Sequence, residues 1–342
     1  MQLGRVAEAR TVGRLAPPLA ALLLLALAVV LAVSVGSVRI SMLEVVQAMW
    51  RGVLGQERTT FDTIIWQVRL PRVLTAALVG GALALSGAAY QGIFRNPLAE
   101  PYLLGVASGA GLGAALGIVF AGSLSLGVPL LSFTGALLSV FAVVALARRG
   151  GRLPVVSLIL AGVVLGSLAS AATSFVMLLD QEKAAAVLAW LLGSFALSSW
   201  SKLTLLAPVV FVTALVLWGS SRALNLLQLG DAQAAQLGLS VEATKFALIA
   251  VSTLATAVAV SLAGIIGFVG LMVPHAVRLL LGPDHRTLLP MSLILGGVFM
   301  VLADLAARTL ISPAELPVGV VTALTGAPFF LWLLKRQDAV TL

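Results

Sequence analysis

The sequence has no cysteine, only two histidines and few charged residues. The absence of cysteine excludes disulfide bonds, cysteine-ligated zinc and thiol catalysis. The two histidines, His275 and His285, leave little for a metal site. Charged residues make up 10% of the 342 residues, against about 25% in soluble domains. The chain therefore lacks the polar surface that a soluble globular protein needs.

Apolar residues dominate the remainder of the chain. They account for 60% of it, and the mean hydropathy is +1.11. Soluble domains are about 45–50% apolar, so this composition indicates an integral membrane protein that crosses the bilayer several times. A formal net charge of +8 can indicate nucleic-acid binding, but in a membrane protein it favours basic inner loops and contact with anionic lipid. We therefore expect membrane lipid, and no nucleic acid, among the partners.

Ten apolar segments are candidates for membrane spans, because a helix needs about 20 apolar residues to cross the hydrocarbon core. They are residues 17–35, 73–93, 103–121, 126–147, 154–179, 203–221, 246–264, 266–281, 288–309 and 318–335. The stretch 246–281 is too long for one span, and its glycines offer places to divide it. The predicted fold is an all-α polytopic membrane protein, with residues 1–342 forming a single transmembrane domain. An even number of spans places both termini on the same side.

The distribution of basic residues predicts the orientation. Residues 1–14 carry three arginines before the apolar run 19–35, which is longer than the core of a signal peptide, so we expect it to stay as the first helix. Counting spans from a cytoplasmic N-terminus puts most of the 21 basic residues on the inner side, and the arginine-rich turn 148–152 is the clearest marker. Residues 222–245 and both termini are then cytoplasmic.

The cytoplasmic stretch 229–240 is polar, rich in alanine and bracketed by glycines. This pattern predicts a short helix with Asp231 in its first turn, where a carboxylate suits the helix dipole. Ala232 and Ala235 leave one side of the helix small, with Leu237 beside them. Another protein could therefore approach this helix closely.

Two segments on the outer side also have helical patterns. Residues 42–50 form an amphipathic piece of a long linker. Residues 184–195 are apolar but too short to cross the membrane. We expect this second segment to lie at the membrane surface or to enter a vestibule.

Ionisable residues are nearly absent from the predicted spans. Asp304 is the main exception, and Arg308 follows it by one helical turn, which predicts a local ion pair near the outer end of the span. A proton relay, as in an ion-coupled secondary transporter, needs more than one such residue. Intramembrane hydrolysis lacks a cysteine and paired aspartates in separate spans. The energy source is therefore predicted to be another protein, with an ion-coupled secondary transporter as the alternative.

Several motifs, in this order and spacing, resemble one family of membrane proteins. They are RLPR at 69–72, RNPLAEP at 95–101, LGV at 104–106, LG at 229–230, AQLG at 235–238, GFVGL at 267–271, PH at 274–275, ELPVG at 315–319 and GAPFF at 326–330. Together they resemble the FecCD-type permeases, the membrane subunits of type II ABC importers for iron-siderophores, haem and cobalamin. The similarity runs from about residue 60 to 336, and the length and span count agree with it.

The resemblance implies a complex in the bacterial inner membrane. In such importers the permease is a homodimer with two cytoplasmic ATPase subunits and a periplasmic substrate-binding protein. ATP and Mg would bind the partner ATPase, with no cofactor on this subunit. The chain contains no Walker A pattern, Gly-x4-Gly-Lys-Ser/Thr, which fits a transport subunit that is no enzyme by itself. The expected cargo is an iron chelate, a siderophore before haem or cobalamin.

The resemblance also implies roles for particular residues. The expected ATPase-coupling residues are Gly230, Asp231, Ala235, Leu237 and Gly238. Those expected to dock the binding protein, through arginine forks that pair with carboxylates, are Arg69, Arg72 and Arg308. Those expected to form the cytoplasmic gate are Asn96, Pro97 and Leu98. Those expected to line the pathway, or alternatively only to pack helices, are Ser157, Gly162, Gly166 and Ser170. The helix within 184–195, followed by Trp200, resembles a short helix that gates the outer end.

Overall fold

The computed structural model describes residues 2–36, 40–55, 59–120 and 127–338, and these are almost entirely helical. The α-helices in chain order are α1 Gln2–Ser34, α2 Met42–Val53, α3 Thr60–Ile64, α4 Leu70–Phe94, α5 Val106–Phe120, α6 Gly127–Ala147, α7 Val155–Leu179, α8 Gln181–Leu191, α9 Trp200–Gly219, α10 Ser221–Leu227, α11 Asp231–Gln236, α12 Val241–Ala263, α13 Val269–Leu281, α14 His285–Thr309 and α15 Val318–Asp338. A π-helical turn, Ile65–Arg69, joins α3 to α4, and a 3-10 turn, Pro101–Leu104, precedes α5.

Among the described residues, seven helical stretches are long and apolar enough to cross a membrane. They are Ala16–Ser34, Thr60–Phe94, Gly127–Ala147, Val155–Leu179, Trp200–Gly219, Val241–Ala263 and His285–Thr309. Three shorter apolar helices, Val106–Phe120, Val269–Leu281 and Val318–Leu333, coincide with the other predicted spans. The chain is thus a multi-pass membrane protein. The count of ten spans stays a prediction, because the apolar part of each of these three helices, which in α15 ends at Leu333, is shorter than the roughly 20 residues a single span needs.

Helix α4 occupies the centre of the fold. It is buried along most of its length and contacts α9, α12, α13 and α14. Its glycines explain the close approach of its neighbours: a methyl group at Gly87 would overlap the carbonyl group of Gly270 on α13, and one at Gly80 would overlap that of Gly296 on α14. Small residues at helix contacts allow this packing without a hydrophobic driving force between spans.

Two breaks in the helices account for the short α5 and α13. After α4, Arg95 takes a left-handed conformation (φ 52°), and Gly105 takes another (φ 77°), so the next helix begins at Val106 and not at residue 103 as predicted. Between α12 and α13, Gly264 (φ 77°) and Phe268 (φ 69°) bound an unwound segment. The first break lies between the predicted spans 73–93 and 103–121, and the second lies at the division expected within 246–281.

Polar side chains from the first break satisfy the backbone of the second. The hydroxyl of Tyr102 donates to the carbonyl oxygen of Ile266 at 3.0 Å and accepts from its N–H at 3.3 Å. The carboxylate of Glu100 accepts from the N–H of Phe268 at 3.3 Å. Unwound backbone within a membrane protein persists only where such partners replace the lost helical hydrogen bonds.

The two ends of the bundle differ in their polar groups. Helix α4 runs from Arg72 near one end to Arg95 just beyond the other. We call the end where Arg72 meets Asp304 the Asp304 end, and the end where Arg95 approaches Asp231 the Asp231 end. Both ends hold residues for which the sequence predicts a function.

Candidate functional site

At the Asp231 end, α10 and α11 form a short helical excursion between α9 and α12. Helix α11 begins after Gly230 (φ 103°) and ends before Gly238 (φ 85°), so a glycine in a conformation that other residues rarely adopt lies at each end. Asp231 lies in the first turn. The predicted short helix with this acidic first turn is confirmed.

Most of the surface of α11 is exposed. Ala232 and Ala235 are exposed, and the side chain of Leu237 is 60% exposed. Ala234 is fully buried and anchors the helix to the rest of the chain. The exposed side matches the surface that the sequence predicts as open to another protein.

Asp231 holds α11 to the bundle through two basic residues. One carboxylate oxygen accepts from Lys245 Nζ of α12 at 2.6 Å, and the lysine side chain is almost completely buried. The other oxygen lies 3.8 Å from an Arg95 Nη atom at the end of α4. A buried ammonium group is costly without a partner, so the pair with Asp231 accounts for the position of Lys245.

The predicted gate residues form a tight turn beside this cluster. The N–H of Leu98 donates to the side-chain oxygen of Asn96 at 2.9 Å, and the N–H of Ala99 donates to the carbonyl oxygen of Asn96 at 3.0 Å. This asparagine turn leaves Pro97 and Leu98 exposed. Residues 96–98 therefore form a tight turn, and their role as a gate stays a prediction.

Further side chains fasten the segment 222–245. The carboxylate of Glu242 accepts from the N–H of Leu153, just before α7, at 2.7 Å. The side-chain amide of Asn225 donates to Asp284 at 2.7 Å, next to the start of α14. The backbone N–H of Arg286, together with this amide, lowers the pKa of Asp284 below its usual value. The segment is thus tied to α7 and α14 as well as to α4 and α12.

At the Asp304 end, Arg72 bridges two acidic residues. Its guanidinium donates to Asp304 at 2.9–3.2 Å and to both carboxylate oxygens of Glu315 at 2.9 and 3.0 Å. Asp304 is buried and also pairs with Arg308 at 3.2 Å, one helical turn away. The local ion pair expected from the sequence is confirmed, and Asp304 has a second basic neighbour that sequence spacing did not indicate.

Arg69 and Arg308 both turn towards the end of α1. Arg69 donates to the carbonyl oxygens of Val33 at 2.7 Å and Ser34 at 3.1 Å. Arg308 donates to those of Ala32 at 2.9 Å and Val35 at 3.3 Å. The last carbonyl groups of a helix lack intrahelical partners and carry partial negative charge, which explains why two cations collect there. Both arginine side chains are therefore buried inside the fold, and the outward-facing arrangement expected for them is corrected; the docking role itself stays a prediction.

The four residues predicted to line a pathway have different surroundings on α7. Gly162 is buried, and a methyl group there would overlap the carbonyl group of Leu103, so this glycine serves close packing. Ser157 is half-buried, as is Gly166, and Ser170 is exposed. Helix packing thus explains Gly162, and pathway lining stays a prediction for the set.

Both histidines contact other side chains of the protein. His275 packs edge-on against the rings of Phe329 and Phe330, with centroids 6.3 and 6.0 Å away. His285 Nδ1 lies 2.7 Å from the side-chain oxygen of Asn225. Within the described ranges, no group of three or more His, Asp or Glu side chains is placed to hold a metal ion.

Sequence reasoning missed three polar residues that the structure places at key contacts. Glu100 and Tyr102 support the unwound segment between α12 and α13, and Lys245 holds Asp231. A signal was present for two of them. Glu100 lies between Ala99 and Pro101 in an otherwise apolar region, and Lys245 is a single cation at the start of an apolar helix. Such isolated charges near a span usually have a buried partner.

Comparison with known proteins assigns this architecture to a family. The model of the FecCD transport family matches residues 24–336. The chain is 46% identical over 279 residues to the cobalamin import system permease BtuC of Halobacterium salinarum, covering 82% of this chain and 75% of that protein. It is 39% identical over 339 residues to the hemin transport system permease HmuU of Yersinia pestis, covering 95% and 98%.

A solved structure agrees in fold as well as in sequence. It is described as an inward-facing conformation of a metal-chelate type ABC transporter, and it superposes with a TM-score of 0.84 at 36% identity, covering 93% of this chain and 98% of that one. The helical membrane fold thus defines a transport permease. The chain belongs to the FecCD family of ABC transporter permeases, in which the ATPase is a separate subunit.

Proposed function

We propose that the chain is the permease of an ABC importer, working as a homodimer in the bacterial inner membrane with both termini in the cytoplasm. In this proposal two ATPase subunits dock at the Asp231 end on the cytoplasmic side. A periplasmic substrate-binding protein docks at the Asp304 end. The observation that carries the proposal is the exposed surface of α11, a helix bounded by two glycines, with the side chain of Leu237 directly after it 60% exposed.

Rigid attachment of α11 supports a role in transmitting motion. A flexible loop would absorb the movement of a bound ATPase. Helix α11 is instead held to α12 by the 2.6 Å contact between Asp231 and Lys245, and α10 is held to α14 through Asn225 and Asp284. A displacement of α11 by a bound ATPase would therefore be transmitted to the membrane helices α12 and α14.

The cargo we propose is an organic metal chelate, and an iron-siderophore first among the possibilities. The names of the relatives support the chelate class, because one imports cobalamin and another transports hemin. Siderophores, haem and cobalamin are large molecules with apolar parts. A passage lined mainly by small apolar residues suits all of them, so selection among them would rest on the binding protein.

The alternative, an ion-coupled secondary transporter, loses its main candidate residue. Asp304 is enclosed by Arg72 and Arg308, with N–O distances of 2.9 and 3.2 Å. This carboxylate already serves as the counter-ion of two guanidinium groups, so it is not open to bind a transported cation. Membership of the FecCD family favours an external ATPase as the energy source.

Reconstitution in vesicles tests the proposal. The permease is assembled with the ATPase subunit and binding protein of its own host, and uptake of a ferric siderophore, haemin and cyanocobalamin is measured separately. We expect one of these chelates to be taken up, and we expect its uptake to require ATP on the side of the membrane that carries the ATPase subunits. Uptake that continues without ATP would contradict the proposal, and uptake of cyanocobalamin alone would replace the siderophore as cargo.

A further inference from the structure

Arg95 lies between the buried helix α4 and the turn at residues 96–98. It caps α4 in a left-handed conformation, φ 52°, which is uncommon for a residue with a side chain. The conformation redirects the chain into the asparagine turn immediately after it. Any force on the Arg95 side chain therefore acts directly on that turn.

The guanidinium of Arg95 lies against the beginning of α11. One Nη atom is 3.8 Å from Asp231 Oδ1, and the other approaches the backbone of Gly230 so closely that a Cβ there would lie 3.2 Å from it. A second contact joins the same two regions: Gln228 Nε2 donates to the carbonyl oxygen of Gly92 in the last turn of α4, at 2.8 Å. The segment 228–231 and the end of α4 are thus adjacent over several residues.

The two oxygens of Asp231 have different partners. Lys245 fully engages one of them at 2.6 Å. The other, Oδ1, is enclosed by protein and has no hydrogen bond among the described residues, although Arg95 lies just beyond bonding distance. A charge-assisted hydrogen bond is about 2.7–2.9 Å long, so a shift of about 1 Å would form one. Small displacements of α11 therefore change this contact strongly.

We propose that Arg95 is a positioning residue that transmits movement of the α11 segment to the turn at 96–98 by closing and opening its contact with Asp231. The inference rests on the proposed docking of an ATPase at α11. Lys245 holds Asp231 to α12, so α11, its carboxylate and the start of α12 move as one unit. Of Asp231, Lys245 and Arg95, only Arg95 belongs to the end of α4 and the turn that follows it. A displacement of Asp231 would therefore reach the turn through Arg95.

The cysteine-free chain allows a direct test that needs no identified cargo. Leu98 is 53% exposed, and the background protein for the test carries the substitution Leu98→Cys. Labelling of this cysteine by a maleimide dye is followed on the permease band of the assembled complex. The modification rate is measured with and without ATP and vanadate. ATP hydrolysis and ATPase retention are measured on the same complex. Arg95→Ala removes the contact, Arg95→Lys retains the charge, and Arg148→Ala, an exposed arginine at the same end, is the matched control.

We expect ATP to change the modification rate in the background protein and in Arg148→Ala. In Arg95→Ala the ATP-dependent change in modification rate should fall about fivefold or more, which corresponds to the lower end of allosteric coupling energies. ATP hydrolysis and retention of the ATPase should persist. Arg95→Lys should restore part of the response. Should Arg95→Ala not yield a folded complex, Arg95→Gln keeps a polar side chain without the charge and carries the same expectation.

The opposing results are distinct from one another. An undiminished ATP response in Arg95→Ala would overturn the inference and leave the proposed docking at α11 intact. No ATP response at position 98 in the background protein, with the ATPase bound, would also overturn it, because the turn would then not move. Failure of the unmodified chain to assemble with the ATPase would instead contradict the proposed function.

Discussion

Arg72 on α4 and Asp304 on α14 form a bidentate ion pair across 232 residues of sequence, with N–O distances of 2.9–3.2 Å. Asp304 is almost completely buried and also forms an ion pair with Arg308. A buried carboxylate shared by two guanidinium groups joins two central helices, and together with Glu315 it balances both cations. Its removal would leave two enclosed positive charges without their common partner.

We therefore expect Asp304→Asn to destabilise the protein by about 3 kcal/mol or more, because breaking a buried pair leaves uncompensated charge. The measurement is thermal unfolding of the purified permease in detergent. Asp180→Asn is the control, since Asp180 pairs with Lys183 at 3.1 Å in a more exposed position and should change stability little. Equal losses in both variants would show that the buried network has no special role.

A second prediction concerns the open side of α11. Leu237→Asp places a charge on the exposed apolar surface, so affinity for the ATPase subunit should fall about tenfold or more, equivalent to about 1.4 kcal/mol. Membrane insertion and thermal stability should be unchanged, because the side chain is 60% exposed. Co-purification and a binding titration measure the effect. Leu310→Asp, at the Asp304 end and 66% exposed, is the matched control, and an equal loss there would argue against docking at α11.

The third prediction tests docking of a binding protein at Arg72. The sequence alone suggests reversing the charge of Arg69 and Arg72 together by replacing both with glutamate. Both side chains are enclosed by the protein, so that variant would disturb folding. Glu315→Gln is a more specific test. It removes the charge of the more exposed of the two carboxylates that pair with Arg72, and it leaves Asp304 in place. If a partner carboxylate binds Arg72, affinity should rise about two- to fivefold, the range of an exposed ion pair. Unchanged or weaker binding of the cognate binding protein would contradict docking at this arginine.

A fourth prediction concerns the contact between α4 and α13. Gly87→Ala introduces a methyl group that overlaps the carbonyl group of Gly270, so the helices must separate. Overpacking of this kind costs about 1–3 kcal/mol. The melting temperature should fall accordingly. Gly219→Ala, where a methyl group meets no atom within 4 Å, should leave it unchanged, and a similar loss at both positions would indicate a general effect of replacing glycine.

Local properties of the chain were predictable from the sequence. Hydropathy located most apolar helices to within about five residues, because burial in lipid depends on the composition of the segment itself, although α1 begins at Gln2 and not at residue 17. The glycines at 230 and 238 bounded α11, since helix ends are set by adjacent residues. Asp304 and Arg308 were paired correctly because one helical turn separates them. The start of α5 was misplaced by three residues, where Pro101 and Gly105 form a 3-10 turn inside an apolar run.

The tertiary structure alone decided which distant groups meet. Arg69 and Arg308 turn inward because the packing of α4 and α14 brings them to the unpaired carbonyl groups of α1. The same packing places Asp304 beside Arg72, and the path of the chain after α9 brings Asp231 to Lys245 and Arg95. By itself the sequence determined a multi-pass helical permease with a short exposed helix. The ion pairs that tie this helix and the arginines to the bundle depend on contacts between helices far apart in sequence, which local pattern does not encode.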